Sequence, residues 1–199
     1  LRFLAWVLVS VFYRVRPTGL DNIPQEGPAI VVCNHVSFMD PILLAAAVRR
    51  PMRFVMWYKI FDIPFLNFFF RNMKAIPIAG GREDRAIMDA AFEAVDAELE
   101  AGNVVCIFPE GGISNDGEIQ RFRPGIEKII ARRPVPVVPA SLGRLWGSWF
   151  SRRKGGGLRT LPGRLFARVP IRVGEPLPAR EVTAAKLELL VRTLRGDER

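Results

Sequence analysis

Apolar positions in this chain fall into short blocks whose period changes along the sequence. Residues 29–33, Ala-Ile-Val-Val-Cys, are continuously apolar and largely β-branched, the pattern of a strand buried on both faces. By the same pattern, strands are predicted at residues 52–57, 75–78, 104–108 and 135–142, with two more inside 164–173. Residues 83–101 switch to helical spacing. There Ile87, Met88, Ala91, Phe92, Val95 and Leu99 share one stripe, and Gly102 stands just past the end. Shorter helices are predicted at 41–49, 64–70 and 125–131, and a polar-faced one from about 180 to 194. Strands alternating with helices predict an α/β fold: one domain with a mixed, mostly parallel sheet and helices on both faces.

The start of the chain departs from this alternation. Residues 1–11 are apolar but too short to cross a bilayer, which takes ~20 residues. Tyr13, Arg14 and Arg16 follow, residue types that favour a membrane interface. The expectation is an interfacial helix over residues 1–16 ahead of a main domain at 17–199. No small-residue cleavage site of a signal peptide follows, and the missing initiator methionine suits a segment of a longer protein. Residues 151–162, with Gly155, Gly156 and Gly157 in a row, read as a flexible loop.

Composition narrows the class. With 199 residues, 49% of them hydrophobic and 25% charged, the chain can bury a core without staples. Cys33 and Cys106 lie in apolar runs and read as small buried hydrophobes rather than as a disulfide. One histidine and no cysteine cluster leave no zinc pattern, so no metal or other cofactor is expected. The net charge of +9 is uneven: from Arg121 to Arg172 every charged residue is basic except Glu127. Such a stretch suits an anionic membrane, an acidic protein or nucleic acid, or is simply a solvated face. No nucleic-acid-binding motif accompanies it, which sets nucleic acid aside. Leu145, Trp146, Trp149 and Phe150 beside Arg152, Arg153 and Lys154 suit a lipid headgroup region. Phe61, Phe65, Phe68, Phe69 and Phe70 fit either a lipid-facing or acyl-lining role, or a core helix packed on the sheet.

The candidate chemistry follows the first predicted strand. His35, the sole histidine, sits in Asn34-His35-Val36-Ser37-Phe38-Met39-Asp40, and Asp40-Pro41 reads as a helix start with Asp at the N-cap. A carboxylate bonded to one ring nitrogen orients an imidazole and stabilises its protonated form, which makes His35 a general base. The alternative is that Asp40 only caps its helix and His35 is a satisfied polar residue. Ser37 raises the possibility of a serine hydrolase, but three members of a triad seldom fit one tight turn, and Gly-x-Ser-x-Gly is absent. Phe108-Pro109-Glu110-Gly111-Gly112 follows another strand and is expected on the same sheet edge as His35. Gly111 and Gly112 permit close backbone approach to a ligand, and Glu110 can accept hydrogen bonds from substrate hydroxyls; a plain tight turn reads equally well.

Three blocks carry a resemblance: Asn34-His35-x-Ser37-x-x-Asp40, Phe108-Pro109-Glu110-Gly111 and Val135-Pro136-Val137-Val138-Pro139. In that order they resemble the glycerolipid acyltransferase family of the 1-acylglycerol-3-phosphate acyltransferase type. With Ala75-Ile76-Pro77-Ile78, Cys106-Ile107 and Arg123-Pro124-Gly125, they are especially similar to the bacterial 2-acylglycerophosphoethanolamine acyltransferase group. The resemblance implies an O-acyltransferase in which His35, oriented by Asp40, deprotonates a free glycerol hydroxyl. That oxygen would attack an acyl thioester, from acyl-CoA or acyl-carrier protein, without an acyl-enzyme or a metal. Glu110 and Gly111 would hold the acceptor, and Asn34 with nearby backbone N–H groups would steady the oxyanion. It also implies a lysophospholipid acceptor, a peripheral or monotopic place on the cytoplasmic face of the bacterial inner membrane, and fusion to a lysophospholipid transporter. The basic stretch would then dock either the membrane or an acidic acyl carrier. One block departs: Gly80 stands where the family has an arginine read as binding the acceptor phosphate. Arg82 is the favoured substitute, with Lys74 and Arg85 as alternatives, and the weakened block tilts the acceptor towards a lysophospholipid with a head group. The competing readings are a thioesterase or lipase acting through Ser37, and a non-catalytic lipid-binding module.

Overall fold

In the computed structural model, which describes residues 13–80, 83–146 and 167–198, one seven-stranded sheet forms among those residues. Its strands are β1 (Tyr13–Thr18), β2 (Ala29–Cys33), β3 (Met52–Trp57), β4 (Ile76–Ile78), β5 (Val104–Ile107), β6 (Val137–Leu142) and β7 (Ala167–Val173). They lie in the order β1-β7-β6-β2-β5-β3-β4, parallel throughout except for the antiparallel β6–β7 pair. The helices are α1 (Asp40–Ala47), α2 (Pro64–Asn72), α3 (Arg85–Glu100), α4 (Gly125–Arg132) and α5 (Ala184–Arg195). This is the expected mixed, mostly parallel α/β sheet.

The centre of the sheet explains its sequence. All five residues of β2 are buried, and successive side chains point to opposite faces. Ala29, Val31 and Cys33 pack with Leu43 and Leu44 of α1, while Ile30 and Val32 pack with Val95 and Leu99 of α3, Ile126 of α4 and Leu187 of α5. A strand covered on both faces needs no polar alternation, which is why it reads as a continuous apolar run. The long helix is defined at its start by Asp84, whose side chain accepts the Ile87 N–H at 3.0 Å, and buries Ala91, Val95 and Leu99. Parallel β2 pairs with β5 on one side (Val32↔Ile107) and with β6 on the other (Cys33↔Ala140). The chain therefore leaves all three strands at one edge, at the centre of the sheet, where α/β proteins build their sites.

Three expectations are corrected. Residues 13–16 are not helical: Tyr13-Arg-Val-Arg-Pro-Thr forms the edge strand β1, paired in parallel with β7. Tyr13 turns into the core, and Pro17 is tolerated because an edge strand leaves one side of its ladder open. Residues 1–12 of the expected interfacial helix lie outside the described residues. Residues 164–173 hold one strand, β7, within the described part rather than two. Finally, the basic stretch is not wholly a free cationic face. Arg132 and Arg133 pair with Glu93, Asp96 and Glu100, and Arg144 and Arg172 pair with Glu198, all acids brought from other parts of the chain.

The aromatic segments divide as well. Phe70 is buried against Phe61, whereas Phe68 is 69% exposed. Leu145 is buried, and Trp146, half-buried, lies against Gly117; residues 147–166 are outside the described residues. Both cysteines are buried and free, and burial pushes their thiols up, which leaves them inert. Among the described residues, no helix is long and apolar enough to cross a membrane.

Candidate active site

The turn after β2 is held by one carboxylate. Asp40 Oδ2 accepts the Val36 N–H at 2.7 Å and the Ser37 N–H at 2.9 Å, and lies 2.8 Å from His35 Nδ1. The helix begins at Asp40 itself, with Met39 at the N-cap and no side-chain cap. The expected capping role is thus corrected: Asp40 reaches backwards and organises the preceding turn instead. With hydrogen on Nδ1, the bond to Asp40 leaves Nε2 as the basic nitrogen. Asp40 is fully buried, while the His35 side chain is 17% exposed, so the pair is sheltered at one end and open at the other.

Two loops from neighbouring strands brace His35. Its ring stacks on Phe108, centroids 4.2 Å apart and planes 21° from parallel. Its backbone N–H donates to Glu110 Oε1 at 2.6 Å, and its carbonyl accepts the Ser114 N–H at 2.8 Å. Glu110 Oε2 accepts the Gln120 N–H at 2.7 Å. Both oxygens of this buried carboxylate therefore already hold main-chain donors, tying the loops after β2 and β5 together. Burial raises the Glu110 pKa to about 7, against the pull of those two N–H bonds.

Asn34 is placed differently from its expected role. Its carboxamide donates to the Leu142 carbonyl at 3.0 Å and accepts the Leu142 N–H at 2.8 Å, fully buried. Both ends of the amide are spent on β6, so Asn34 staples the strand ends and its side chain does not face an oxyanion. Ser37 is also buried, and its hydroxyl accepts the Met39 N–H at 3.2 Å, a turn-forming bond.

His35 opens onto a cavity of about 590 Å³. Its lining is largely apolar, with Val55, Ile78, Met88, Phe92, Val95 and Ile129 among its walls, and Gly111, Gly112, Arg123 and Lys128 also line it. Gly111 has φ +74°, and a Cβ there would stand 2.5 Å from the Arg123 Cζ, so only glycine lets the guanidinium lie across that backbone. Of the expected phosphate ligands, Arg82 lies outside the described residues. Lys74 is exposed in the turn before β4, and Arg85 pairs with Asp89; neither lines the cavity. The sequence does not single out Arg123 and Lys128 as site residues. The signal available is weak: Arg123 directly precedes Pro124-Gly125, and only the fold brings it over Gly111.

Residues 14–143 match the sequence family described as Acyltransferase. The chain is 31% identical over 140 residues to the chloroplastic 1-acyl-sn-glycerol-3-phosphate acyltransferase of Arabidopsis thaliana, covering 69% of this chain and 38% of that protein. It is 28% identical over 125 residues to the 1-acyl-sn-glycerol-3-phosphate acyltransferase of Borreliella burgdorferi, covering 63% of this chain and 49% of that one. The chain thus spans less than half the length of both relatives. The crystal structure of the 1-acyl-sn-glycerophosphate acyltransferase from Thermotoga maritima shares the fold, with TM-score 0.74 and 23% identity, covering 96% of this chain and 75% of that one.

Proposed function

The chain belongs to the acyltransferase family that includes the 1-acylglycerol-3-phosphate acyltransferases, and from that premise we propose that it moves a fatty acyl group from a thioester to the free hydroxyl of a lysophospholipid. The observation that carries this reading is the His35–Asp40 pair, bonded at 2.8 Å on its buried side and opening onto an apolar cavity on the other. His35 Nε2 takes the proton of the acceptor hydroxyl as its oxygen adds to the thioester carbonyl. The tetrahedral species collapses, the C–S bond breaks, and the imidazolium returns the proton to the departing thiolate, leaving an ester and a free thiol. Asp40 stabilises the imidazolium between the two transfers. The largely apolar lining of the cavity suits an acyl chain. The donor is acyl-CoA or an acyl-carrier protein, and the acceptor is 1-acylglycerol-3-phosphate or a lysophospholipid with a head group.

The enzyme works on this reading at a membrane surface, the cytoplasmic face of a bacterial inner membrane, where its lipid acceptor resides. Exposed Phe38, Trp57, Ile63 and Phe68 support it, since Phe38 lies in the turn after His35 and Trp57 lines the cavity. The test is acyl transfer by the purified protein with acyl-CoA and acyl-carrier donors against lysophosphatidic acid and lysophosphatidylethanolamine, with products identified by mass spectrometry. Ester formation that disappears in His35→Ala supports the proposal; near-normal turnover in that variant overturns it. An acyl group trapped on Ser37 would favour the hydrolase reading instead, which the buried, bonded Ser37 hydroxyl argues against.

A further inference from the structure

We propose that Arg123 and Lys128 form a phosphate subsite on the wall of the cavity that His35 faces. The inference rests on the acyltransferase reading for its biological ligand, but not for its physical basis. Both cations line the cavity, and neither has a carboxylate partner among the described residues. That sets them apart from Arg132 and Arg133 at the far end of α4, which are fully engaged by Glu93, Asp96 and Glu100. The acids nearby do not neutralise them. Glu110 spends both oxygens on the N–H groups of His35 and Gln120, and Glu83, also on the cavity wall, binds Trp57, Tyr58 and Lys59. Two unpaired cations on the lining of a largely apolar cavity call for an anion.

The geometry favours phosphate. Arg123 is held at its base by its N–H bond to the Pro109 carbonyl at 2.9 Å, and its guanidinium lies against the bare Gly111 backbone. Gly111 is one residue beyond Glu110, the carboxylate that pins His35, and Phe108 of the same loop stacks on the His35 ring. An anion held by Arg123 is thereby kept in register with the base. Guanidinium offers a planar fork that matches two phosphate oxygens, and lysine adds a point charge. The subsite shares its cavity with Gly80, where the resemblance leads one to expect an arginine. Its phosphate comes from the acceptor lipid or from the pantetheine arm of the donor.

The experiment compares wild type with Arg123→Gln and Lys128→Gln, both exposed positions whose backbone contacts are untouched. Kinetics use lysophosphatidic acid against monoacylglycerol as acceptors, and acyl-CoA against an acyl thioester of N-acetylcysteamine as donors. Losing one charge-assisted pair costs ~1.5–3 kcal/mol, so the KM for the phosphate-bearing member should rise about ten- to a hundred-fold and that for its phosphate-free partner should not move. A rise confined to the acceptor pair assigns the acceptor's phosphate; a rise confined to the donor pair assigns the donor's. In parallel, binding of sn-glycerol 3-phosphate and of CoA is measured by calorimetry in the His35→Ala background, which requires no turnover. If neither ligand loses affinity in Arg123→Gln and no KM changes, the subsite is refuted. Binding that depends on Arg123 in a protein without acyl transfer would instead keep the subsite and reject the reaction.

Discussion

Asp40→Asn separates the charge of the site from its shape. The substituted carboxamide can place its oxygen where Oδ2 now accepts the Val36 and Ser37 N–H groups at 2.7 and 2.9 Å, so the turn should survive. What disappears is the negative charge 2.8 Å from His35 Nδ1 as the imidazolium forms. Opposite charges ~4 Å apart attract by ~4 kcal/mol at an effective dielectric near 20. An amide dipole recovers part of this, so the expected loss is ~2–4 kcal/mol of transition-state stabilisation, about 30- to 1,000-fold in kcat. Asp40→Ala behaves differently, because it also leaves two buried N–H groups without an acceptor. Each costs ~1–3 kcal/mol, so that variant should lose stability as well as rate. The assay is thiol release from an acyl thioester with a lysolipid acceptor, run beside urea unfolding of each variant. Asp40→Asn with kcat within threefold of wild type would refute the electrostatic role, and Asp40→Ala with unchanged stability would refute the structural one.

Glu110 should give the fold a pH dependence. Its pKa rises from 4.5 in the unfolded chain to about 7, so the native state holds the extra proton and stability falls as pH climbs between those values, by up to roughly 3 kcal/mol. Glu110→Gln should abolish that slope in denaturant unfolding from pH 4 to 8; parallel slopes for the two proteins would contradict the assignment. Asn34→Ala should cost ~2–4 kcal/mol, read as a lower urea midpoint, because the buried Leu142 N–H and carbonyl both lose their partner. Ile63→Ser with Phe68→Ser should weaken flotation with anionic vesicles while leaving turnover of a short-chain soluble acceptor unchanged; equal flotation would show that this exposed surface does not meet lipid.

The central strands and the long helix are legible in the sequence because their patterns are local consequences of burial. A strand covered on both faces must be apolar throughout, as at Ala29–Cys33, and a helix with one buried stripe must repeat Ala91, Val95 and Leu99. β1 escapes this reading because Tyr13-Arg-Val-Arg suits an interface as well as a strand, and its partner β7 begins at Ala167, near the other end of the chain. The same distinction divides the site. His35 and Asp40 are five residues apart in one turn, so their spacing announces their contact. The bonds of Asn34 to Leu142 and of Glu110 to Gln120 join segments that the fold alone brings together. In sequence, their hydrogen-bonding capacity therefore looks available for substrate when it is spent on backbone. Arg123 shows the converse: Arg123-Pro124-Gly125 contributes to the resemblance but marks no ligand contact, and its relation to the cavity depends on Gly111 having no side chain.

Fewness of free polar groups is what would fit this site to the proposed acyl transfer. A general base needs one basic nitrogen aimed at the substrate and a supporting frame that does not compete for the same proton. Here each nearby polar side chain is engaged elsewhere: Asp40 on the turn and on Nδ1, Glu110 on His35 and Gln120, Asn34 on Leu142, and Ser37 on Met39. Those bonds connect the loops beyond β2, β5 and β6, strands whose register is set by a core buried on both faces. The candidate base is thus held in a turn anchored to buried central strands, which would limit the reorganisation that otherwise raises the barrier. Among the side chains that line the cavity, His35 Nε2 and the two cations Arg123 and Lys128 are the polar groups left to meet a ligand without a partner of their own in the described residues. One accepts a proton and the others attract an anion. A substrate carrying both a hydroxyl and a phosphate would satisfy all three.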